Sequence, residues 1–226
     1  SLDEFEDWLG RLSQAASVVA SPQLRNVGTV GGNLCQRPRC WYFRNAGIVC
    51  SKKGGDICYA YEGRNKYHAI FGGSVCHIVY PSDLAPMLIA LEATIVIASP
   101  RGDRTLPLAE FYALPDKDVL RENVLAKGEL VREVRLPPAG RRDRSAYLKL
   151  EERGTWDFAL VSCAVGASGR DGLRIVLGGV APVPWLTAAG PGQGRVKGVR
   201  APVPPTEERG KDQVIRLKSQ QEIERI

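Results

Sequence analysis

The sequence predicts an α+β fold, in which helical patterns and antiparallel strand patterns occupy separate stretches of the chain. A second helix is followed by a buried strand within residues 82–99, and residues 145–185 alternate strand patterns with turns rich in Gly and Asp. Near the N-terminus, apolar residues recur at spacings of three and four, which predicts an amphipathic helix over residues 3–17. These apolar residues are Leu2, Phe5, Trp8, Leu9 and Leu12.

Between the first helix and the cysteines lies the stretch "VASPQLRNVGTVGGNL". Short β-branched pieces alternate there with Pro22 and with glycines, which predicts strand, turn and a close approach of the backbone to a ligand. Residues 35–76 follow and are predicted to be irregular, because they contain many Gly and charged residues and few aliphatic ones.

Regular patterns return at Ser82. Either Ser82 or Asp83 caps the predicted helix, and "ATIVIAS" after it has the composition of a buried strand. A turn at "PRGD" leads into a second short strand. The stretch "GELVREVRLP" alternates apolar and polar residues, as a half-buried strand does, and Pro137 and Pro138 end it.

A charged linker, "AGRRDRS", separates a second unit. Its stretches "SAYLKLEERG", "FALVSCAVGAS" and "LRIVLGGVAPVPW" indicate three antiparallel strands, or two strands and a helix. Beyond Trp185 the chain is rich in Pro, Gly and charge, which predicts a poorly packed tail. The predicted regions are therefore residues 1–140, 141–186 and 187–226.

Composition and charge exclude several classes of protein. The 226 residues are 44% hydrophobic and contain no apolar run long enough for a transmembrane helix; the acidic, amphipathic N-terminus is not an export signal. We therefore expect a soluble, cytoplasmic chain, or a periplasmic one if a signal-bearing partner exports it. Residues 36–68 contain seven basic and two acidic residues, but the aromatic residues there form one isolated group. Nucleic-acid binding is thus only an alternative.

Five of the six cysteines, namely Cys35, Cys40, Cys50, Cys58 and Cys76, fall within one stretch, whereas Cys163 lies in a strand pattern and is predicted to be a core residue. A disulfide framework is typical of small secreted domains, which this chain does not resemble. A zinc-stabilised interaction module with four cysteine ligands usually has paired short spacings, which are absent here, although it remains an alternative. An iron-sulfur cluster tolerates wide spacing and is favoured by positive surroundings and backbone amides.

Four stretches together resemble the FAD-binding medium subunit of the molybdenum hydroxylases, from about residue 15 to 185. They are "ASPQLRNVGTVGGNLCQRPRCWYF", "GRNKYHAIFGG", "YPSDLAPMLIALEATIVI" and "GTWDFALVSCAVG" with "LGGVAPVPW". The chain is similar in particular to the periplasmic type of aldehyde oxidoreductase, which resembles the β subunit of 4-hydroxybenzoyl-CoA reductase in carrying an extra [4Fe-4S] cluster. The implied fold is an FAD-binding PCMH-type domain, second subdomain only, with an insertion at 35–80, followed by a lobe like the C-terminal domain of CO dehydrogenase flavoproteins.

The resemblance implies two sets of site residues. FAD would contact the loop "TVGGN", whose amides can approach a pyrophosphate, and three positions outside it. The implied flavin residues are Thr29, Val30, Gly31, Gly32, Asn33, Asp83, Val131 and Lys149. The implied cluster ligands are Cys40, Cys50, Cys58 and Cys76, while Cys35 is expected to be structural. His68 and His77 flank the insertion and are candidates for ligands or hydrogen-bond donors.

The resemblance also implies an activity and partners. A molybdopterin-binding large subunit would oxidise the substrate, and a [2Fe-2S] small subunit would pass the electrons on. This chain would be a subunit of an FAD-dependent oxidoreductase that delivers them to an external acceptor. Members of the family begin with a lobe that holds a first Gly-rich flavin loop, and they end in further helices. Neither is recognised here, so the chain is expected to be an incomplete relative.

Overall fold

The computed structural model describes residues 2–138, 144–154, 156–168 and 172–188, and the α+β class predicted from the sequence is confirmed. The side chains of residues 2–9 are not described. The helices are α1 (Leu2–Ser17), α2 (Pro22–Val27), α3 (Val30–Leu34), α4 (Trp41–Arg44) and α5 (Leu84–Ala90). The strands are β1 (Thr94–Ala98), β2 (Arg104–Pro107), β3 (Leu130–Arg135), β4 (Arg144–Leu150), β5 (Val161–Ser168), β6 (Gly172–Gly178) and β7 (Trp185–Ala188). Nearly all of the predicted tail lies outside the described residues.

Two helices form the centre of the core. In α1, Leu12, Ala15 and Ala16 are fully buried, as its amphipathic pattern predicts. Every residue of α5 is buried, so this helix is apolar on all sides. Asp83 occupies the N-cap position of α5, but the Oγ of Ser82 accepts the hydrogen bond, from the amide of Ala85 at 3.0 Å. Both helices pack against the second-unit strands β4 to β6, which fixes the position of the segment before α5.

The predicted strand pieces between residues 19 and 34 are wrong, because this stretch forms α2 and α3. Ser21 caps α2, where Pro22 occupies a first-turn position that needs no amide hydrogen. Thr29 caps α3 through a hydrogen bond from the amide of Gly32 to its Oγ1, at 3.0 Å. Local capping by Ser and Thr therefore overrides the weak β preference of the valines in this stretch.

The first sheet has three antiparallel strands in the order β2, β1, β3. Ile95 and Ile97 of the central strand are fully buried, as expected for the predicted strand "ATIVIAS". The pairing of β1 with β3 shifts register between Val96 and Ile97. This sheet places β3, and Val131 within it, beside the short helix α3.

The second sheet has four antiparallel strands in the order β4, β5, β6, β7. The first three strands agree with the all-strand alternative for the second unit, whereas β7 was not predicted. Tyr147, Ala164 and Val176 are register partners across β4, β5 and β6, and all three are buried in the core. This row is the face that packs on α1 and α5.

The opposite, outward face of the four-stranded sheet is apolar and open. Leu148 and Leu150 of β4 are 72% and 60% exposed, and Leu173 of β6 is 41% exposed. Cys163 pairs with Leu148 on this face and is only partly buried. The prediction that Cys163 is a core residue is therefore wrong, because its strand turns alternate residues toward and away from the core.

The cysteine-rich segment, residues 35–76, contains little regular structure, as predicted: besides α4 it has one short 3-10 turn at Ser51–Lys53. Its end is joined to the second unit by backbone hydrogen bonds. The amides of Ile70 and Tyr80 donate to the carbonyls of Val180 and Ala181, both at 2.9 Å. In the part of the chain described here, no helix is both long and apolar enough to cross a membrane.

Candidate functional site

The irregular segment folds around a small cavity that all four predicted cluster ligands line. Cys40 precedes α4, Cys50 precedes the 3-10 turn, and Cys58 and Cys76 come from loops. Cys50 and Cys76 are buried, and the other two are partly buried. Thiols that are far apart in sequence thus meet in one place, in a loop region with few apolar side chains of its own.

Backbone amides point at three of the four sulfur atoms. The amides of Tyr42 and Phe43 donate to Cys40. Those of Ala60 and His77 donate to Cys58, and that of Ile78 donates to Cys76. Such donors stabilise the thiolate form, which is the form that binds metal.

The thiols also affect one another's protonation. A hydrogen bond between Cys76 and Cys58 lowers the pKa of Cys58 and raises that of Cys76. Burial raises the pKa of Cys40, and negative charge on Cys50 and Cys58 raises it further. Cys58 and Cys76 therefore titrate as a coupled pair.

His68 lies at the wall of the same cavity and is buried. Its Nε2 is 3.2 Å from the Sγ of Cys40, while its Nδ1 has no hydrogen-bond partner. His77 packs against the ring of Tyr61 and is not among the residues that line the cavity, but its side chain hydrogen-bonds Cys58, as expected for a hydrogen-bond donor. Among the described residues, no three His, Cys, Asp or Glu side chains form a group that could hold a single metal ion.

Cys35 lies outside the thiol cavity. It is the C-cap residue of α3, and its side chain packs against the hydrophobic core, where burial raises its pKa to about 11. This location agrees with the structural role expected for Cys35.

The basic residues of the segment bind groups within the protein. Arg44 donates to the carbonyl of Pro38 at 2.9 Å, and Lys53 donates to that of Asn45 at 2.6 Å. Lys52 is almost completely buried and lines the thiol cavity. An open basic surface for nucleic acid is therefore not what these side chains form.

The predicted flavin residues form a second, connected region. The loop "TVGGN" is α3 with its cap, so Thr29 and Gly32 are exposed while Val30 and Asn33 are buried. Gly31 faces Val131, because a Cβ at position 31 would stand 3.4 Å from the Cβ of Val131. A larger residue at position 31 would thus push α3 away from β3.

Asn33 connects this loop to the start of α5, since its Oδ1 accepts a hydrogen bond from the Oγ of Ser82 at 2.5 Å. Asp83 follows and is 5% exposed. Its Oδ2 is 3.1 Å from the Nζ of Lys149, and its Oδ1 accepts a hydrogen bond from the hydroxyl of Tyr147 at 3.4 Å.

Lys149 is buried, not solvated, and its ammonium group is fully used within the protein. Besides Asp83, it donates to the carbonyls of Val18 at 3.0 Å and Asp157 at 2.7 Å, and it lies 3.2 Å from Glu151. The ion pair therefore ties α1, the start of α5 and β4 together next to the predicted flavin loop.

A second, smaller cavity lies against Asp83. Arg39 lines it and donates to the carbonyl of Ala159 at 3.0 Å, and its guanidinium lies 5.5 and 5.2 Å from the ring centres of Tyr67 and Phe158. Since Arg39 directly precedes Cys40, consecutive residues line the two cavities. Burial lowers the pKa of Arg39.

Two residues of these sites have little signal in the sequence. Arg39 and Lys52 are an ordinary Arg and Lys in a polar stretch, and only the partial burial of Arg39 and the full burial of Lys52 mark them, whereas Ser82 was already a helix-cap candidate. The position of Lys52, two residues after a predicted ligand, is the one hint that the sequence offers.

A comparison with protein families identifies the region around the predicted flavin loop. Residues 2–49 and 63–139 match the family described as the FAD binding domain in molybdopterin dehydrogenase. The match leaves out residues 50–62, which contain Cys50 and Cys58. The chain therefore carries two of its four cavity cysteines in a segment that the family pattern lacks.

Individual relatives carry related names. The chain is 40% identical over 185 residues to the aldehyde oxidoreductase FAD-binding subunit PaoB of Escherichia coli (strain K12), covering 80% of this chain and 58% of that protein. It is 30% identical over 175 residues to the carbon monoxide dehydrogenase medium chain of Hydrogenophaga pseudoflava, covering 76% of this chain and 45% of that one. The chain thus spans about half the length of these relatives.

Solved structures agree on the fold. Carbon monoxide dehydrogenase from Hydrogenophaga pseudoflava, in a form that lacks the Mo-pyranopterin moiety, superposes with a TM-score of 0.50 at 26% identity, over 80% of this chain and 48% of that one. The reconstituted CO dehydrogenase from Oligotropha carboxidovorans gives 0.52 at 21% identity, over 82% and 50%. With the family match covering more than half of its residues, this chain belongs to the family of FAD binding domains in molybdopterin dehydrogenases.

Proposed function

We propose that this chain is the FAD-binding, electron-transfer subunit of a molybdenum-containing hydroxylase of the aldehyde oxidoreductase type, and that it holds a [4Fe-4S] cluster as well as FAD. The observation that carries the proposal is that two of the four cavity cysteines lie inside the family match and two lie in the segment that the match omits. The family match covers all the predicted flavin residues except Lys149, and the segment that it omits between residues 49 and 63 supplies Cys50 and Cys58 to a cavity whose other cysteines are Cys40 and Cys76.

The flavin part rests on α3 and its surroundings. The exposed start of the loop, at Thr29 and Gly32, is where the cofactor pyrophosphate would lie, and the small residues there allow its close approach. Asn33 and Ser82 hold the loop against α5, and Val131 supports Gly31 from β3. We infer that Asp83 contacts FAD, and that Lys149 keeps the Asp83 carboxylate in place instead of reaching the flavin itself.

The cluster part rests on the donor set of the cavity. Four thiols that meet around a space, with backbone amides directed at the sulfurs, have the chemistry that iron-sulfur clusters require. A mononuclear zinc site needs its sulfurs about 2.3 Å from one ion, and the described residues contain no such group.

When bound, FAD would supply the redox chemistry that passes electrons to an external acceptor. The residues of this chain bind and orient that cofactor, while Cys40, Cys50, Cys58 and Cys76 hold the second redox group. PaoB and the carbon monoxide dehydrogenase medium chain are, by name, single subunits of oxidoreductases. We therefore propose a molybdopterin-binding large subunit and a [2Fe-2S] small subunit as partners.

Anaerobic purification tests the cluster. The wild-type chain is expected to contain iron and acid-labile sulfide in equal amounts and to show broad visible absorption. Cys50→Ser should lose both, whereas Cys35→Ser, the matched control outside the cavity, should retain them. Zinc in place of iron, or equal iron in the two variants, would contradict the cluster assignment.

Titration with FAD tests the flavin site, with quenching of flavin fluorescence as the measurement. Gly32→Val places a branched side chain on the exposed surface of the loop and is expected to weaken binding at least about tenfold, because it blocks the close approach that an anion at the loop amides needs. Gly10→Ala, on the exposed side of α1, is the control and should bind FAD like the wild type. Equal affinity of all three proteins would contradict the assignment of this loop.

A further inference from the structure

A buried ion pair lies at the wall of the thiol cavity. The side chain of Lys52 is 1% exposed and that of Glu122 is 6% exposed, and the Nζ of Lys52 is 3.1 Å from the Oε1 of Glu122. The same Nζ donates hydrogen bonds to the carbonyls of Val119 at 2.9 Å and Arg121 at 3.1 Å. The ammonium group therefore has two carbonyl acceptors and one carboxylate at ion-pair distance.

Burying a charge costs several kcal/mol unless nearby groups compensate it. The buried charge of Lys52 at the cavity wall therefore needs compensating groups. Glu122 offsets Lys52, and Arg37 stands 3.2 Å from the same carboxylate oxygen. Arg37 is 56% exposed, so water screens its charge, and Lys52 is the buried cation of this group. Lys52 is therefore a buried cation among the residues that line the cavity, and Glu122 offsets its charge.

The ion pair also connects a segment that the family match omits to residues that the match covers. Lys52 lies within residues 50–62, which the family match omits, whereas Val119, Arg121 and Glu122 lie within the matched residues. The ammonium group thus fastens the omitted segment to the common domain, at the place where the four thiols meet. Lys52 lines this cavity together with Cys50, Cys58 and Cys76, so its charge lies beside the thiols.

We propose that Lys52 is a positioning residue that sets the reduction potential of the redox group held by the four cysteines, and that Glu122 moderates this effect. The inference rests on the proposed function. Adding one electron makes the group more negative by one charge, and a nearby buried cation stabilises that reduced state. Lys52 should therefore raise the potential, and Glu122 should lower it.

The test is a redox titration of the anaerobically purified chain, with iron content measured on every sample. Lys52→Met should shift the midpoint potential to a more negative value, and Glu122→Gln should shift it to a more positive value. The double variant should return close to the wild type, because both charges are gone. Lys66→Met is the control. Lys66 is an exposed lysine of the cysteine-rich segment, residues 35–76, and does not line the cavity.

Opposite shifts of the midpoint potential in Lys52→Met and Glu122→Gln separate an electrostatic role from a purely structural one. Loss of anchoring alone would lower the iron content of both single variants without shifting their potentials in opposite directions. If Lys52→Met loses its iron, the result for Glu122→Gln decides: a positive shift supports the proposal, and no shift overturns it. Unchanged potentials in two iron-loaded single variants would also overturn it. Absence of iron from the wild type would instead contradict the proposed function.

Discussion

Burial determines how the carboxyl group of Asp83 behaves. Its pKa is raised to about 6, mainly because the group is desolvated, although Lys149 and Tyr147 favour the charged form. An ion pair at 3.1 Å therefore does not fully offset the loss of water. The folded chain holds the proton of Asp83 more tightly than the unfolded chain does.

A dependence of stability on pH follows from this shift. Asp83 contributes stability below the unfolded pKa of 3.8 and loses it as the pH rises to about 6, by about 3 kcal/mol in total. Asp83→Asn cannot titrate, so its free energy of unfolding should fall less between about pH 4 and pH 6.5. Urea unfolding of both proteins across this range measures the difference, and parallel curves would show that Asp83 is not desolvated.

Individual site residues differ in how well the sequence predicts them. Cys40, Cys50, Cys58 and Cys76 could be selected because the family resemblance fixes which cysteines belong together, and the fold does bring them to one cavity. The partners of Lys149 could not be predicted, because the ammonium group joins loops and a helix end that are far apart in sequence. Burial of a polar side chain is a property of the fold and leaves no local pattern.

The contact between α5 and β5 depends on a residue without a side chain. Gly166 of β5 lies against the end of α5, and a Cβ there would come within 2.1 Å of the carbonyl oxygen of Ala90. Because a backbone atom cannot rotate away, any larger residue must separate the helix from the sheet. Gly166 therefore fixes how closely the two elements approach each other.

Gly166→Ala should accordingly lower the free energy of unfolding by about 1–3 kcal/mol, the usual cost of overpacking a core. Gly10→Ala is the matched control, since nothing lies within 4 Å of a Cβ at that helical position. It should raise stability by about 0.5–1 kcal/mol through helix propensity. Thermal unfolding measures both changes, and a neutral Gly166→Ala would contradict the close approach described here.

Elements with strong periodicity were predictable, whereas those fixed by capping or by distant pairing were not. The helix α1 and the strands β1 and β3 follow their sequence patterns closely. The strand β7 lies directly after Pro184 and forms only because β6 offers an edge for pairing. Pairing with a neighbouring strand outweighs local sequence there.

In the whole molecule, two well-packed units surround a segment that has hardly any core of its own. Within residues 50–62, backbone hydrogen bonds are local: the amides of Lys53 and Gly55 donate to the carbonyl of Cys50, and that of Tyr61 donates to Cys58. Links to the rest of the chain include the thiol cavity, the ion pair of Lys52 and the hydrogen bond from Lys53 to the carbonyl of Asn45. If the chain holds the proposed cluster, its loss should therefore affect this segment first.

Removal of iron with a chelator should increase hydrogen exchange of amides in residues 50–62, measured by mass spectrometry before and after treatment. Amides of α5 and β1 provide the internal control, and their exchange should stay unchanged because the core around them does not contain the cavity. Identical exchange of residues 50–62 in both samples would mean that no cluster stabilises the segment.

The outward face of the four-stranded sheet has a consequence for the heat capacity of unfolding. Leu148 and Leu150 are largely in contact with water in the folded chain, so unfolding exposes less additional apolar surface at these two positions than at buried ones. Apolar surface that becomes hydrated on unfolding is the main source of the usual increment of about 12–15 cal/mol/K per residue. The open face therefore lowers the heat-capacity increment of unfolding of this chain. A smaller increment makes the curve of its stability against temperature flatter.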